Sequence, residues 1–571
     1  MANKICLAFV IQLLGLVSVT VAETPNILLI VADDMGYADL GSYGSPAIRT
    51  TNIDQLALEG MKMTQFYMSA GICTPSRASM LTGRQPVRSG TYTALLPPND
   101  EYFRVFYPSS EGCMDVNEIT IASGLSDIGY KTGLIGKWHL GHRIDIGCLP
   151  GEGRRGFDYF FGLPYSHEEG YPGPFPEGLI WPPVPLYENS TFVEQPFNAT
   201  DITSRYTANS IDFINEADAA NQPYFLHVAY ENPHVPLFTS PEFEGVSRRG
   251  FYGDSVEEMD ASVGEIMSVV RSSTKSTFVI FTSDNGAWVN ANSGLSNNAI
   301  NSRYSTDSVN TRAHTHTKSV FSYLPQTHHA LVCVTRSGIG TYDGGSNGML
   351  FEGKGSTYEG GVRVPCIFWW PDHISPGVTS LATTSALDFL PTFLNLASAP
   401  LPDVVLDGKD MSSVLFEQDD YGPWYGDYLF FWRESQVYAV RNGRYKLHYI
   451  TRSGFNISDL GTAHDPPLIF DVESDASEKY PIDCANNTDD GSSSCPSEML
   501  TLINNTNQAL NNHLASIGNP MPTPQYGPQN WTVVPCCPRG SFNPADAIAY
   551  AQAGEWGLAI WDQCVCARED E

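Results

Sequence analysis

Positive charge is scarce in this chain. Its 571 residues hold 32 Lys and Arg against 63 Asp and Glu, a net charge of −31 and a pI near 4.6. So acidic a surface repels phosphate backbones, which argues against nucleic acid as a partner, and it suits an acidic compartment where protonation relieves self-repulsion. Any local gathering of lysine and arginine is therefore conspicuous. Long apolar runs are also few. The one present, Ile5 to Val19 within MANKICLAFVIQLLGLVSVTVA, follows an early lysine and precedes small residues, the pattern of a cleaved secretory signal over residues 1–22. No later stretch suffices to span a bilayer, and the CVCAREDE end carries neither a hydrophobic tail nor a retention signal. A soluble protein of the lysosome or the extracellular space is expected.

The apolar content of 42% is enough for a large core and a second, smaller domain. Cysteines gather late, at Cys484, Cys495, Cys536, Cys537, Cys564 and Cys566, which predicts a disulfide-tied C-terminal region of open connectivity. Asn-X-Ser/Thr triplets at Asn189, Asn198, Asn456, Asn486, Asn504 and Asn530 predict a glycoprotein with exposed loops at those sites.

Four segments pair an apolar, strand-like run with polar residues at its carboxyl end: NILLIVADDMG, YKTGLIGKWHLG, QPYFLHVAYENPH and STFVIFTSDNG. Helix-like stretches such as TNIDQLALEG and SVEEMDASVGEIMSVV lie between them. The alternation predicts an α/β fold, a large parallel or mixed sheet sandwiched by helices, with ligands beyond the carboxyl ends of its strands. Short aromatic runs after residue 400, YLFFWRES and VYAVRNGRYKLHYI, predict a smaller antiparallel sheet. The domains expected are a catalytic one over residues 23–400 and a C-terminal subdomain over 401–571. Residues 288–343 are aperiodic and rich in Ser, Asn and Thr. They read as an atypical insert, either a lineage-specific loop or translated intron sequence.

Asp33 and Asp34 end one strand; Asp284 and Asn285 end another. Either pair alone is an ordinary turn or cap. Together their hard oxygens suit Ca²⁺ or Mg²⁺ better than zinc. Cys73 stands where the loop of GICTPSRASMLTG becomes a helix, a position that attracts anions and activates thiols, although a disulfide half or a buried packing residue is the commoner fate of such a cysteine. With Arg77, Lys137, His139, His234 and Lys354 added, the set describes a site for a divalent cation and a tetrahedral anion, with acid and base groups alongside.

CTPSRASMLTG resembles the signature of the sulfatase family, in which the cysteine of C-x-P-S-R becomes Cα-formylglycine. VADDMGYADLGSYG, TGLIGKWHLG, PYSHEEG and GKGSTYEGGVR are similar to further motifs of the family, in the order of its arylsulfatase A type, between Pro25 and about Phe470. The resemblance implies sulfate-ester hydrolysis and a calcium ion held by Asp33, Asp34, Asp284 and Asn285, with the modified Cys73 facing it. It implies that Lys137, Lys354 and Ser166 hold the sulfate, that Arg77 and His139 orient the formylglycine hydrate, and that His234 contacts substrate and protonates the leaving group. A formylglycine-generating enzyme is the implied maturation partner, a sulfated small molecule, glycolipid or glycan the implied substrate, and a homo-oligomer is admitted. Two features depart from the family pattern: the 288–343 insert, and Glu352 near the place where a cysteine precedes the lysine turn. The site is expected to hold only where the insert loops outward.

The residue types fit that chemistry. Sulfate-ester oxygens carry negative charge, so cationic groups are needed to offset charge in the transition state. Asp284 is the expected proton acceptor for the attacking hydroxyl and His139 the base that frees sulfate from the second, which makes Cys73 a precursor and not a thiol nucleophile. Two other readings stay open: a phosphonate or phosphate ester hydrolase with the same site, and a glycoprotein that binds sulfated glycans without turnover.

Overall fold

The computed structural model describes residues 24–92, 104–170, 183–289, 344–454, 459–484, 495–522 and 535. The signal segment, nearly all of the insert, Asn456, Asn486, Asn530, Cys536, Cys537, Cys564 and Cys566 lie outside them.

In chain order the strands of the large sheet are β1 (Asn26–Ala32), β2 (Met61–Tyr67), β3 (Lys131–Gly136), β4 (Tyr159–Gly162), β5 (Leu186–Glu188), β6 (Thr191–Glu194), β7 (Tyr224–Ala229), β8 (Thr277–Ser283), β9 (Arg363–Trp369) and β10 (Val378–Ser385). They lie in the order β10-β2-β9-β8-β1-β7-β3-β4-β5-β6. Parallel pairing prevails around β1, β3, β7 and β8, and antiparallel pairs join β9 to β2 and β8, so the sheet is mixed. The main helices are α1 (Thr51–Glu59), α2 (Cys73–Thr82), α3 (Ile202–Ala219), α4 (Phe251–Ser272), α5 (Phe389–Leu396) and α6 (Ser497–Ile517).

Every residue of β1 is buried, because helices cover both faces of the sheet; a continuous apolar run is what such a strand requires. Ile27, Leu29 and Val31 pack with Met80, Phe389 and Phe393 of α2 and α5. Leu28, Ile30 and Ala32 pack on the opposite face with Ile53, Tyr206 and Val256 of α1, α3 and α4. Each large apolar side chain buried this way stabilises the fold by about 1.5–3 kcal/mol.

A second sheet, β11 (Tyr428–Arg433), β12 (Gln436–Asn442), β13 (Tyr445–Thr451) and β14 (Thr462–Asp471), is antiparallel throughout. It joins the main body through Tyr67, Val362, Leu387, Leu429 and Phe431, and Met499 and Ile503 of α6 pack on it. Cys484–Cys495 ties the C-terminal region. Asn198 is exposed in a loop, whereas Asn504 is exposed on α6 and not in a loop. Among the described residues no helix is long and apolar enough to cross a membrane.

Candidate active site

Because β1, β3, β7 and β8 run parallel, their carboxyl ends share one edge. Register then brings the polar residues together. Ala32 pairs with Ser283, so Asp33 and Asp284 emerge side by side; Asp284 N donates to Ala32 O at 3.0 Å, and Asp34 N donates to Asp284 Oδ1 at 3.1 Å. Lys137 N donates to Ala229 O at 2.8 Å. This tight crossing needs glycine at position 136, where φ is +110° and a Cβ would lie 1.9 Å from Ala229 O. Lys354 returns to the same edge after the insert, its N donating to Ala287 O at 2.9 Å and the Gly355 N to Gly71 O at 2.6 Å.

Cys73 begins α2 and is 2% exposed. Its Sγ lies 3.7 Å from Asp33 Oδ1 and 3.8 Å from Lys137 Nζ. Burial pushes the thiol far up in spite of Lys137 and Lys354, so the activation expected of a helix start is overridden by desolvation and the thiol is a poor nucleophile.

Three acids and three cations surround it. Lys137 Nζ donates to Asp33 Oδ2 at 2.5 Å, Lys354 Nζ to Asp34 Oδ2 at 2.7 Å, and Arg77 Nε to Asp284 Oδ2 at 2.9 Å, while Arg77 Nη2 lies 3.3 Å from Asp33 Oδ1. Burial pushes Asp33 up, but Lys137, His234, Arg77 and Lys354 override it and hold the carboxyl well below its usual range. Burial and Asp33 push Asp284 up to about 7 against Arg77, and burial raises Asp34 although Lys354 offsets part of it. Asn285 Nδ2 donates to Asp34 Oδ1 at 2.7 Å, yet Asn285 Oδ1 is buried with no hydrogen-bond partner. An orphaned amide oxygen beside carboxylates pushed upward is a place for further positive charge, and the all-oxygen donor set fits a hard divalent cation. Ligating atoms of Asp33, Asp34, Cys73 and His234 also lie within 4.8 Å of one another.

Both histidines have their tautomers fixed by carbonyls, which only accept. His139 Nε2 donates to Phe106 O at 3.1 Å, leaving Nδ1 a buried lone pair without a partner. His234 Nδ1 donates to Val235 O, and Nε2 accepts from Lys354 Nζ at 2.8 Å. Burial, reinforced by Lys354, holds His234 neutral well below the usual imidazole range; burial and Lys137 do the same for His139. The proton nearest the expected leaving-group side therefore sits on Lys354 Nζ. Ser166 Oγ accepts from Lys137 Nζ at 3.3 Å, so every site residue singled out from the sequence falls in one cluster.

The Cys113–Cys148 disulfide escaped the sequence reading. It clamps the segment carrying Lys137 and His139, with Met114 N donating to Leu140 O at 3.0 Å; the only signal was a cysteine on either side of TGLIGKWHLG.

A buried set of oxygen donors, a cysteine at a helix start and converging lysines lie together at one edge of a mixed α/β sheet, an arrangement suited to a cation and a tetrahedral anion. The chain matches the sulfatase family over residues 25–399 and the C-terminal region of aryl-sulfatase over 426–544; it belongs to the sulfatase family. It is 38% identical to arylsulfatase A of Homo sapiens over 490 residues, 81% of this chain and 83% of that protein. It is 33% identical to N-acetylgalactosamine-6-sulfatase of Rattus norvegicus, covering 89% of each. Among solved structures, the PsFucS1 sulfatase from Pseudoalteromonas sp. superposes with a TM-score of 0.66 at 25% identity, over 87% of this chain and 92% of that one.

Proposed function

We propose that this chain hydrolyses sulfate esters to an alcohol or phenol and inorganic sulfate, using formylglycine at position 73 and a calcium ion. The observation that carries this reading is the orphaned Asn285 Oδ1 among Asp33, Asp34 and Asp284, beside a buried Cys73 whose thiol chemistry burial suppresses. Asp33, Asp34, Asp284 and Asn285 would hold the calcium ion, which supplies positive charge to the sulfate oxygens and relieves repulsion among the carboxylates. Formylglycine at position 73, when hydrated, would supply two hydroxyls on one carbon, one as nucleophile and one as the group through which the ester is released.

The remaining chemistry belongs to the side chains. Lys137 and Lys354 each carry a buried ammonium that binds sulfate oxygens, with Ser166 Oγ beside Lys137. Arg77 orients Asp284, whose carboxylate is the group placed to take the proton of the attacking hydroxyl. His139 Nδ1 accepts a proton, since Phe106 O already fixes the hydrogen on Nε2. His234 Nε2 would deliver a proton to the leaving oxygen after drawing one from Lys354 Nζ, which is then left as a neutral amine and is reprotonated before the next turnover.

The test offers the mature protein the sulfate and phosphate esters of one phenol, before and after chelation. Sulfate release that stops on chelation is expected; preference for the phosphate ester contradicts the reading. Cys73→Ser keeps one hydroxyl and lacks the second, so it is expected to release at most one phenol per site and to retain sulfate on the introduced serine. Sustained turnover by that variant would overturn the formylglycine assignment.

A further inference from the structure

Glu168 is the one acid of the described site left facing solvent. It sits in the short 3-10 turn His167–Gly170 that follows Ser166, anchored where Glu169 N donates to Ser166 O at 3.1 Å. Its Oε1 lies 3.7 Å from His234 Nε2, and its side chain is 25% exposed while that of His234 is fully buried. His234 Nδ1 is committed to Val235 O, which leaves Nε2, already receiving Lys354 Nζ, as the atom that meets the leaving oxygen, so Glu168 stands beside the leaving group.

The other acids of the site already receive donors. Asp33 receives Lys137 and lies against Arg77, Asp34 receives Lys354 and Asn285, and Asp284 receives Arg77 and the Asp34 backbone. Among the described residues the Glu168 carboxyl accepts no hydrogen bond, and the basic side chain within pairing distance is His234, which is neutral there. Burial raises its carboxyl, and Lys354 and Lys137 offset part of that from further away. It is thus held at the mouth of the site with its acceptor capacity unspent.

A leaving oxygen that takes a proton from His234 Nε2 lies within a hydrogen-bond length of that nitrogen. In a sugar, oxygens on neighbouring ring carbons are themselves about one hydrogen-bond length apart. A donor next to the esterified oxygen therefore comes within reach of Glu168, whereas a plain phenyl or alkyl sulfate has nothing there to offer.

We propose that Glu168 determines specificity by accepting a hydrogen bond from a hydroxyl or amide N–H on the atom adjacent to the esterified one, selecting sugar-like sulfates over plain ones. This rests on the sulfate-ester reading above. Discrimination of this kind is strong because a site built to receive a donor is left unsatisfied by the analogue lacking it.

The experiment compares phenyl sulfate with 2-hydroxyphenyl sulfate on the mature protein and reads the ratio of their kcat/KM values. Glu168→Leu is expected to lower the ratio in favour of the hydroxylated ester by roughly 10- to 100-fold, the worth of one hydrogen bond to a charged group. Glu168→Gln, which keeps an acceptor oxygen in the same place, is expected to fall between the two and to guard against a misfolded leucine variant. An unchanged ratio in Glu168→Leu, whether the two rates hold or fall together, overturns the proposal; a parallel fall would make Glu168 a positioning residue for His234. Phenyl sulfate alone reports on the underlying reading, and a wild-type protein inert toward both esters would overturn that reading and this proposal with it.

Discussion

Beneath the small sheet, Glu359 receives Lys446 Nζ at 2.9 Å, Tyr67 OH at 2.7 Å and Arg363 Nη1 at 3.2 Å, and Glu478 receives the Glu359 N at 2.6 Å and lies 2.7 Å from His448 Nε2. This cluster is as buried as the one at the strand ends, where Asp33 is likewise held low but Asp34 and Asp284 are raised. Burial pushes Glu359 up, but Lys446, Arg363 and Arg441 override it and bring the carboxyl down to about 2, whereas Asp284 is pushed up to about 7 and Asn285 Oδ1 has no partner. The difference follows from where the residues sit. Lys446 and His448 are within β13, Arg441 within β12 and Tyr67 within β2, so the strands hold the cations and the phenol in place, and each carboxylate of the cluster already has its donors. Asp33, Asp284 and Lys137 lie just past their strands, where the ladder no longer dictates pairing and a ligand can complete the set. A buried charge cluster becomes a strut when it is saturated and a reaction site when it falls short of positive charge.

Asp284→Ala is expected to have the largest effect, because it removes a metal ligand and the proposed proton acceptor together. A loss of at least about 10³ in kcat/KM is expected, near the upper range for a general base, with loss of any calcium-dependent rise in Tm. A variant retaining both would place Asp284 with the struts.

Exchanging one lysine from each cluster sharpens the contrast. Lys354→Met is expected to lower kcat/KM by roughly 10²–10³, the loss of one directed cationic group, with little change in Tm when calcium is bound. Lys446→Met is expected to cost about 3–5 kcal/mol of stability, since it leaves buried carboxylates short of a partner, while kcat of the folded fraction holds. Denaturant unfolding and steady-state kinetics on both variants decide it, and the opposite pattern would break the comparison.

The smallest effect concerns Glu231, whose Oε1 accepts from Tyr206 OH at 2.9 Å and whose Oε2 is buried without a partner. Burial raises its carboxyl from 4.5 to about 8. Between those values the folded chain holds a proton that the unfolded chain does not, so this group's contribution to stability falls as pH rises through the window. Glu231→Gln removes the titration. Its Tm relative to wild type is expected to climb from pH 5 to pH 8; an equal gap at both pH values would contradict the assignment.

The strand ends were legible in the sequence because each apolar run stops at its polar residues, and CTPSR named the position of the helix start. The fold class followed from the alternation of runs and helices. The strut was not legible: its members stand singly from Tyr67 to Glu478, the basic ones inside strand-like runs and Glu359 and Glu478 in a helical turn and a loop outside those strands. Nor were the tautomers of His139 and His234, which depend on the carbonyls of Phe106 and Val235. The suppressed thiol of Cys73 was hidden for the same reason, since sequence gives the helix start but not its depth of burial.

The most direct test of the account is the mass of the tryptic peptide spanning residues 63–77, isolated from protein made in the secretory pathway. The account predicts that residue 73 is an aldehyde, its sulfur gone and the peptide reactive toward carbonyl reagents. A free or alkylatable cysteine there, in protein that still cleaves a sulfate ester, would contradict it.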